Sequence, residues 1–268
     1  MADALFLPDG SRFIPTELAR GPWSPDALHG GPPAALLGRC AEGVAGGEGM
    51  MVVRLTVELL RPVPVSPLAV ETRLLRPGRR VQLVSASLRA GDTEVARATA
   101  LRMRTIELPL PDGIGSPEPP PGPHTSPPSV SPGIALLDYP AFHNQGVEHR
   151  FVAGGFEEPG PSTDWIRLRV PLVAGEATSP LARVAAAADF GNGISWRLSR
   201  RDGWQFINPD LTIVLHRPPD GEWICLEAVS FVEPIGVGQA ESVLWDERGR
   251  IGRAVQTLLL DREPASTS

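Results

Sequence analysis

Between Met51 and Glu107 the apolar residues fall into short β-branched and leucine-rich runs, a pattern that predicts four strands over 52–60, 68–75, 81–89 and 94–104. Arg61-Pro62, Pro77-Gly78 and Ala90-Gly91-Asp92 punctuate them, each a signal for a turn. The stretch before them has a different character. Ala34 to Glu42 is apolar nearly all round until Arg39 and Glu42, and Pro32-Pro33 suit a first helical turn, where no N–H is needed. It reads as a helix wrapped by other structure. The second half of the chain runs through a similar series. Strands are expected over 147–153 and 164–170, then a helix from Pro180 capped by Ser179 and ended by Gly191, with Leu181, Val184, Ala185 and Ala188 as its apolar stripe. Four more strands follow, over 206–215, 222–231, 237–245 and 251–260.

The two series are copies. An offset of 156 residues places Leu55, Thr56, Leu59, Arg61 and Pro62 on Leu211, Thr212, Leu215, Arg217 and Pro218. Without a gap it continues through Glu71 on Glu227, Val81 on Val237, Leu88 on Leu244, Arg97 on Arg253 and Ala98 on Ala254, ten identities over the 49 positions from Leu55 to Met103. One register held across several loops implies two similar units, each an antiparallel sheet curled around one helix. Covering the free sheet edges would join the two edge to edge, related by a pseudo-two-fold axis, with both helices on one side. The units are expected over 1–107 and 141–268. The segment 108–140 holds ten prolines between Pro109 and Pro132 and reads as an extended linker over the surface.

Composition narrows the function. A formal charge of −6 without a clustered basic face argues against nucleic acid. All 25 basic residues are arginine, so Schiff-base chemistry has no lysine to use. Cys40 and Cys225 sit where small buried hydrophobes belong and read as reduced core residues. No Cys/His cluster has metal-site spacing, and no Gly-X-Ser-X-Gly or phosphate-binding Gly-Lys-Ser/Thr loop occurs. The first residues carry acidic Asp3 and no basic-then-apolar leader, and no run approaches the roughly 20 apolar residues of a membrane span. A soluble cytoplasmic protein is expected.

The candidate chemistry lies where the copies differ in polarity. Asp189 ends an otherwise apolar helix, where the macrodipole and burial both disfavour a carboxylate. Gln256 stands mid-strand opposite repeat partner Ala100, and Asn208 opposite repeat partner Val52. Buried amides cost free energy unless hydrogen-bonded, so their presence in one copy alone needs a reason. His216 at a strand end and His29 before a glycine pair read as structural or surface residues, and His124, His143 and His149, in or after the linker, show no ligand spacing.

The two-copy layout, the His29-Gly30-Gly31 helix entry, Asp189, the Asn208 strand ending in His216-Arg217-Pro218, and Gln256 in the last strand together resemble the acyl-CoA thioesterase II family, a fused double hotdog. The resemblance implies an α+β fold in which two antiparallel sheets, each wrapped around a central helix, fuse into one long sheet. It implies hydrolysis of acyl-CoA or a related acyl thioester, with no cofactor, by a homodimer or homotetramer. In that family an Asp, a Thr and a Gln position the attacking water; Asp189 and Gln256 match, and Asn208 replaces the Thr. The first unit, with Val52 and Ala100 at the amide positions, is then catalytically silent. His29, Gly30 and Gly31 would form the anion hole at the first helix, their missing side chains letting substrate approach the backbone. Bulky replacements at Gly30 or Gly31 should then lower turnover with little change in melting temperature, and Asp189→Asn should hold or raise stability. Two other readings stand beside this one. The first is a non-catalytic acyl-binding protein. The second is a hotdog hydratase or dehydratase, whose Asp-X-Asn-Pro-X-His signature lacks its leading Asp and its His in Phe206 to Leu211.

Overall fold

The structure, a computed structural model, describes residues 3–115, 117–130, 138–199 and 202–262. The first half contains β1 (Phe6–Asp9), β2 (Arg12–Pro15), α1 (Gly31–Glu42), β3 (Met50–Leu59), β4 (Leu68–Arg76), β5 (Val81–Ala90) and β6 (Thr93–Arg104). The second contains β7 (Val147–Ala153), β8 (Ser162–Leu168), α2 (Pro180–Ala188), α3 (Gly191–Ile194) and β9 (Trp204–Ile207). It closes with β10 (Asp210–Leu215), β11 (Ile224–Glu233), β12 (Val237–Asp246) and β13 (Gly249–Arg262).

All the strands belong to one sheet, in the order β1-β2-β4-β5-β6-β3-β10-β13-β12-β11-β8-β7, with β9 also paired to β13. The halves meet where β3 pairs antiparallel with β10. There Thr56 faces Thr212, Val57 faces Leu211 and Leu55 faces Ile213. Thr56 and Thr212 are repeat partners, and the flanking pairs exchange repeat partners across them, so the pseudo-two-fold axis passes between the two threonines. The offset of 156 also carries the internal registers from one copy to the other. Leu55 faces Ala100 and Val57 faces Ala98 in the first copy; Ile213 faces Ala254 in the second, as the repeat partners of Val57 and Ala98 should. Val84 opposite Ala100 becomes Ala240 opposite Gln256.

Leu55, Val57, Leu211 and Ile213 point to the same face of this joined sheet, and all four are buried beneath the helices. Both helices lie on that face and cross at glycine. A Cβ built on Gly38 would stand 3.4 Å from Leu181 Cδ2 and 3.2 Å from Leu55 Cδ2, so the small residue sets the closeness of approach. The halves therefore share one hydrophobic core, running from Leu36 and Leu37 of α1 through Val184 and Ala185 of α2. The N-terminal strand tightens the union: Leu5 and Phe6 donate backbone N–H groups to Pro171 and Leu172 of the other half.

Four local features differ from the sequence expectation. The strand expected over 206–215 is broken at Asn208-Pro209, because proline has no N–H for a ladder. Gly191 begins α3 instead of ending the chain's helical course, so Asp189 and Phe190 form a corner between two helices. Cys225 is fully buried, but Cys40 is only partly so. The proline-rich segment is anchored over part of its length: Trp165 Nε1–H donates to Pro121 C=O at 2.8 Å, Arg150 donates to Pro123 C=O, and Ser129 N–H donates to His149 C=O. Residues 116 and 131–137 of that segment lie outside the described residues.

The His216-Arg217-Pro218 run is a clamp. Arg217 forks both Oδ atoms of buried Asp246 at 2.5 Å and donates to the carbonyls of Gly249 and Arg250, fastening the β12–β13 turn. These bonds hold Asp246 below the usual carboxylate range against the opposing effect of burial. His216 is exposed beside it.

Candidate active site

α1 and α2 run antiparallel, so the N-terminus of α1 meets the C-terminus of α2. The corner residue Asp189 projects there and is buried. Its Oδ1 accepts from Asn208 Nδ2 at 2.8 Å and from Gln256 Nε2 at 3.1 Å. Its Oδ2 lies 2.9 Å from His29 Nδ1. All three polar residues singled out by the copy comparison thus converge, together with His29.

Each is delivered by a local feature. Pro209 breaks the strand just after Asn208 and frees that residue from the ladder, so its amide can reach Asp189. Gln256 splices the two helices. Its Oε1 accepts the Asn192 N–H at 3.2 Å and its Nε2 donates to the Asp189 backbone carbonyl at 3.2 Å, satisfying groups that the helix ends leave open. That is why the amide is tolerated at 1% exposure, while Ala100 faces no such break. The dipole reasoning also changes sign: Asp189 does end α2, but its carboxylate lies over the N-terminus of the twelve-residue α1, which attracts an anion. The stability expected to hold or rise in Asp189→Asn therefore becomes a small loss.

The glycines of the helix entry are occupied space. A Cβ on Gly30 would stand 2.7 Å from Asp189 Oδ2, and one on Gly31 would stand 2.6 Å from the Ala186 carbonyl oxygen. Their missing side chains let the second helix, not a ligand, come close. Gly31→Ala is accordingly expected to lower stability by about 1–3 kcal/mol, because a backbone carbonyl cannot swing aside. A thermal melt measures this, and an unchanged melting temperature would refute the close crossing.

Pro32 and Pro33 have no N–H, and Ala34 N–H is taken by Gly30 C=O at 3.1 Å. Gly31 therefore supplies the one open donor of the first helical turn. At 3.0 Å it faces His29 Nδ1, the atom that also faces Asp189. Nδ1 cannot serve both as a neutral imidazole. When it carries the proton for an ionised Asp189, the Gly31 N–H is released for another acceptor.

His143, which sequence reasoning set aside, and two phenylalanines it did not single out gather around the same corner. His143 stacks edge-on against His29 at 4.4 Å, and Phe142 and Phe190 pack on His29 at 5.1 and 4.7 Å. The π-helical turn Phe142–Gly146 brings the first two there, and no periodicity announces it. At the opposite end of the helix pair Ser179 Oγ donates to Glu42 at 2.5 Å, while the first copy's amide positions are buried Val52 and Ala100. An open cavity of about 350 Å3 near Arg169, Thr178 and Arg183 adjoins the N-terminus of α2, a helix length from Asp189. Among the described residues no group of His, Cys, Asp and Glu side chains is arranged to hold a metal ion, and no helix is long and apolar enough to cross a membrane.

The family model for the acyl-CoA thioesterase N-terminal domain matches residues 19–103, and that for the acyl-CoA thioesterase C-terminal domain matches residues 115–260. Among solved structures the chain is similar to a hot dog fold protein from Alicyclobacillus acidocaldarius, at 19% identity and TM-score 0.73, covering 98% of each chain. It is also similar to an acyl-CoA thioesterase II from Mycobacterium marinum, at 14% identity and TM-score 0.64, covering 97% of this chain and 95% of that one. A third similar structure, the tesB protein of Mycobacterium avium subsp. paratuberculosis, has 15% identity and TM-score 0.68 over 96% and 95% of the two chains. These likenesses establish the double hotdog fold. No curated protein matches the chain.

Proposed function

The chain belongs to the acyl-CoA thioesterase family, and from that premise we propose that it hydrolyses acyl-CoA thioesters by a water activated at Asp189. The observation that carries the proposal is a buried carboxylate gripped at Oδ1 by the amides of Asn208 and Gln256 and facing His29 at Oδ2. Two amide donors occupy Oδ1 and fix the plane of the carboxylate. Oδ2 is then the oxygen that takes a proton from water as the water oxygen attacks the thioester carbon. The carbonyl oxygen becomes an oxyanion, for which the Gly31 N–H at the start of α1 is the available donor. Collapse breaks the C–S bond, and the proton held by Asp189 passes to the departing thiolate. The products are a carboxylic acid and free coenzyme thiol.

In this reading the first unit, 1–107, contributes His29, Gly30 and Gly31, and the second, 141–268, contributes Asp189, Asn208 and Gln256. Neither half has a complete site. Asn208 in place of the family's threonine keeps an oxygen acceptor and adds the donor that holds Asp189. A cytoplasmic homodimer or homotetramer acting on lipid-derived thioesters fits the family.

The test is release of free thiol from acyl-CoAs of increasing chain length. Turnover of at least one chain length is expected. Saturable binding of acyl-CoA without thiol release would replace the enzyme by an acyl-binding protein.

A further inference from the structure

The open cavity of about 350 Å3 at the start of α2 is lined by two arginines and two glutamates, and their partners differ. Glu176 takes two bonds from Arg39 of α1, at 2.6 and 2.8 Å, and Glu222 faces Arg167 at 3.7 Å, so each acid is balanced by a cation outside the cavity. Arg169 Nε–H donates to Val147 C=O at 2.9 Å, and Arg183 Nη1–H donates to Gly221 C=O at 2.7 Å. Among the described residues no carboxylate pairs with either arginine.

Two guanidinium groups thus line one cavity with carbonyl partners only, and each keeps open donors in the planar fork that fits a phosphate. The positive end of the nine-residue α2 lies beside them and adds to the same field. The two helices differ at this point. Setting Pro180 on Pro33, the last entry proline of each helix, places Arg183 on Leu36, which is wholly buried. As at Asn208 and Gln256, one copy carries a polar group where the other is apolar.

The cavity lies within reach of the Asp189 corner. The nine residues of α2 span about 13 Å. Arg169 N–H donates to Gly146 C=O at 2.9 Å, and Gly146 ends the turn whose Phe142 packs on His29. One short segment therefore runs from the cavity to the corner. With the thioester at Asp189 Oδ2, an extended pantetheine arm carries the phosphates of coenzyme A over a span of that size.

We infer that this cavity is a phosphate-binding site, in which Arg169 and Arg183 grip the phosphorylated end of coenzyme A while the thioester lies at Asp189. The inference rests on the acyl-CoA reading above. Free phosphate offers the same chemistry and is the other source to be tested.

The test compares kcat/KM for an acyl-CoA with that for the acyl-pantetheine of the same acyl group, which lacks every phosphate. Wild type should favour the acyl-CoA about a hundredfold, roughly tenfold for each arginine, and through KM rather than kcat. In the double variant Arg169→Gln, Arg183→Gln that ratio should fall to within a few-fold of one. Equal values in wild type overturn the inference, whether or not a variant folds, as does a preference that survives in the double variant. Calorimetric titration of both proteins with coenzyme A, pantetheine and inorganic phosphate separates the two sources. Coenzyme A should bind wild type about a hundredfold more tightly than pantetheine does, and the double variant should lose that advantage. Inorganic phosphate bound by wild type alone, with no advantage of coenzyme A over pantetheine, assigns the cavity to the free ion and overturns the coenzyme assignment. The binding advantage without thiol release sinks only the hydrolase, and thiol release without the advantage sinks only the cavity assignment.

Discussion

Asp189→Asn is expected to lower turnover by roughly 10² to 10⁴ while leaving acyl-CoA binding nearly intact, the size of effect that loss of a general base produces. Shape and most contacts survive the change. The new side chain keeps an oxygen for Asn208 Nδ2 and Gln256 Nε2, which stand 2.8 and 3.1 Å from Asp189 Oδ1 in the wild-type chain, and presents an N–H to His29 Nδ1. It cannot accept the proton of an attacking water. Stability should fall by about 1 kcal/mol, because a carboxylate over the N-terminus of α1, held by two amide donors, is replaced by a neutral group. Thiol release under saturating substrate, with a melt on the same sample, gives both quantities. Wild-type turnover in this variant would remove Asp189 from the chemistry.

Gln256→Ala should show the opposite balance, a large loss of stability with a smaller loss of rate. One side chain serves three groups here: the Asn192 N–H, the Asp189 backbone carbonyl and the Asp189 carboxylate. Deleting it orphans a helix-end donor and acceptor at a site 1% exposed to solvent. The cost should be about 2–3 kcal/mol, or several degrees in melting temperature for a chain of this size. Asn208 and His29 still hold the carboxylate, so turnover should drop less than in Asp189→Asn, and the acyl-CoA dissociation constant should stay close to wild type. A melting temperature within one or two degrees of wild type would show that the helix corner does not need its splice.

The two copies, their four shared strands and the edge-to-edge union were legible in the chain because a period-two pattern and a constant offset survive without knowledge of contacts. Thr56 and Thr212 had to be equivalent once the offset was known, and the pairing of one with the other follows from a two-fold join. The candidate polar residues were legible for the same reason: Val52 and Ala100 show what Asn208 and Gln256 replaced. A difference between copies is a local property of sequence.

What the sequence left open depends on groups far apart in the chain. The macrodipole at Asp189 was judged from its own helix, whereas the terminus that matters belongs to α1, some 160 residues away along the chain. His29 looked like a helix-entry residue until antiparallel packing set it 2.9 Å from that carboxylate. Gly30 and Gly31 looked like room for a ligand, and the space proves to be filled by Asp189 and the Ala186 carbonyl. Arg169 and Arg183 stand on separate elements, with nothing in their spacing to mark the cavity they share. The sequence by itself determined which residues face the core and which copy carries the amides. The partners of those amides, the sign of the field at Asp189 and the joining of two half-sites into one were decided only by the tertiary structure, because hydrogen bonds and dipole fields act through space across a fold that brings distant segments together.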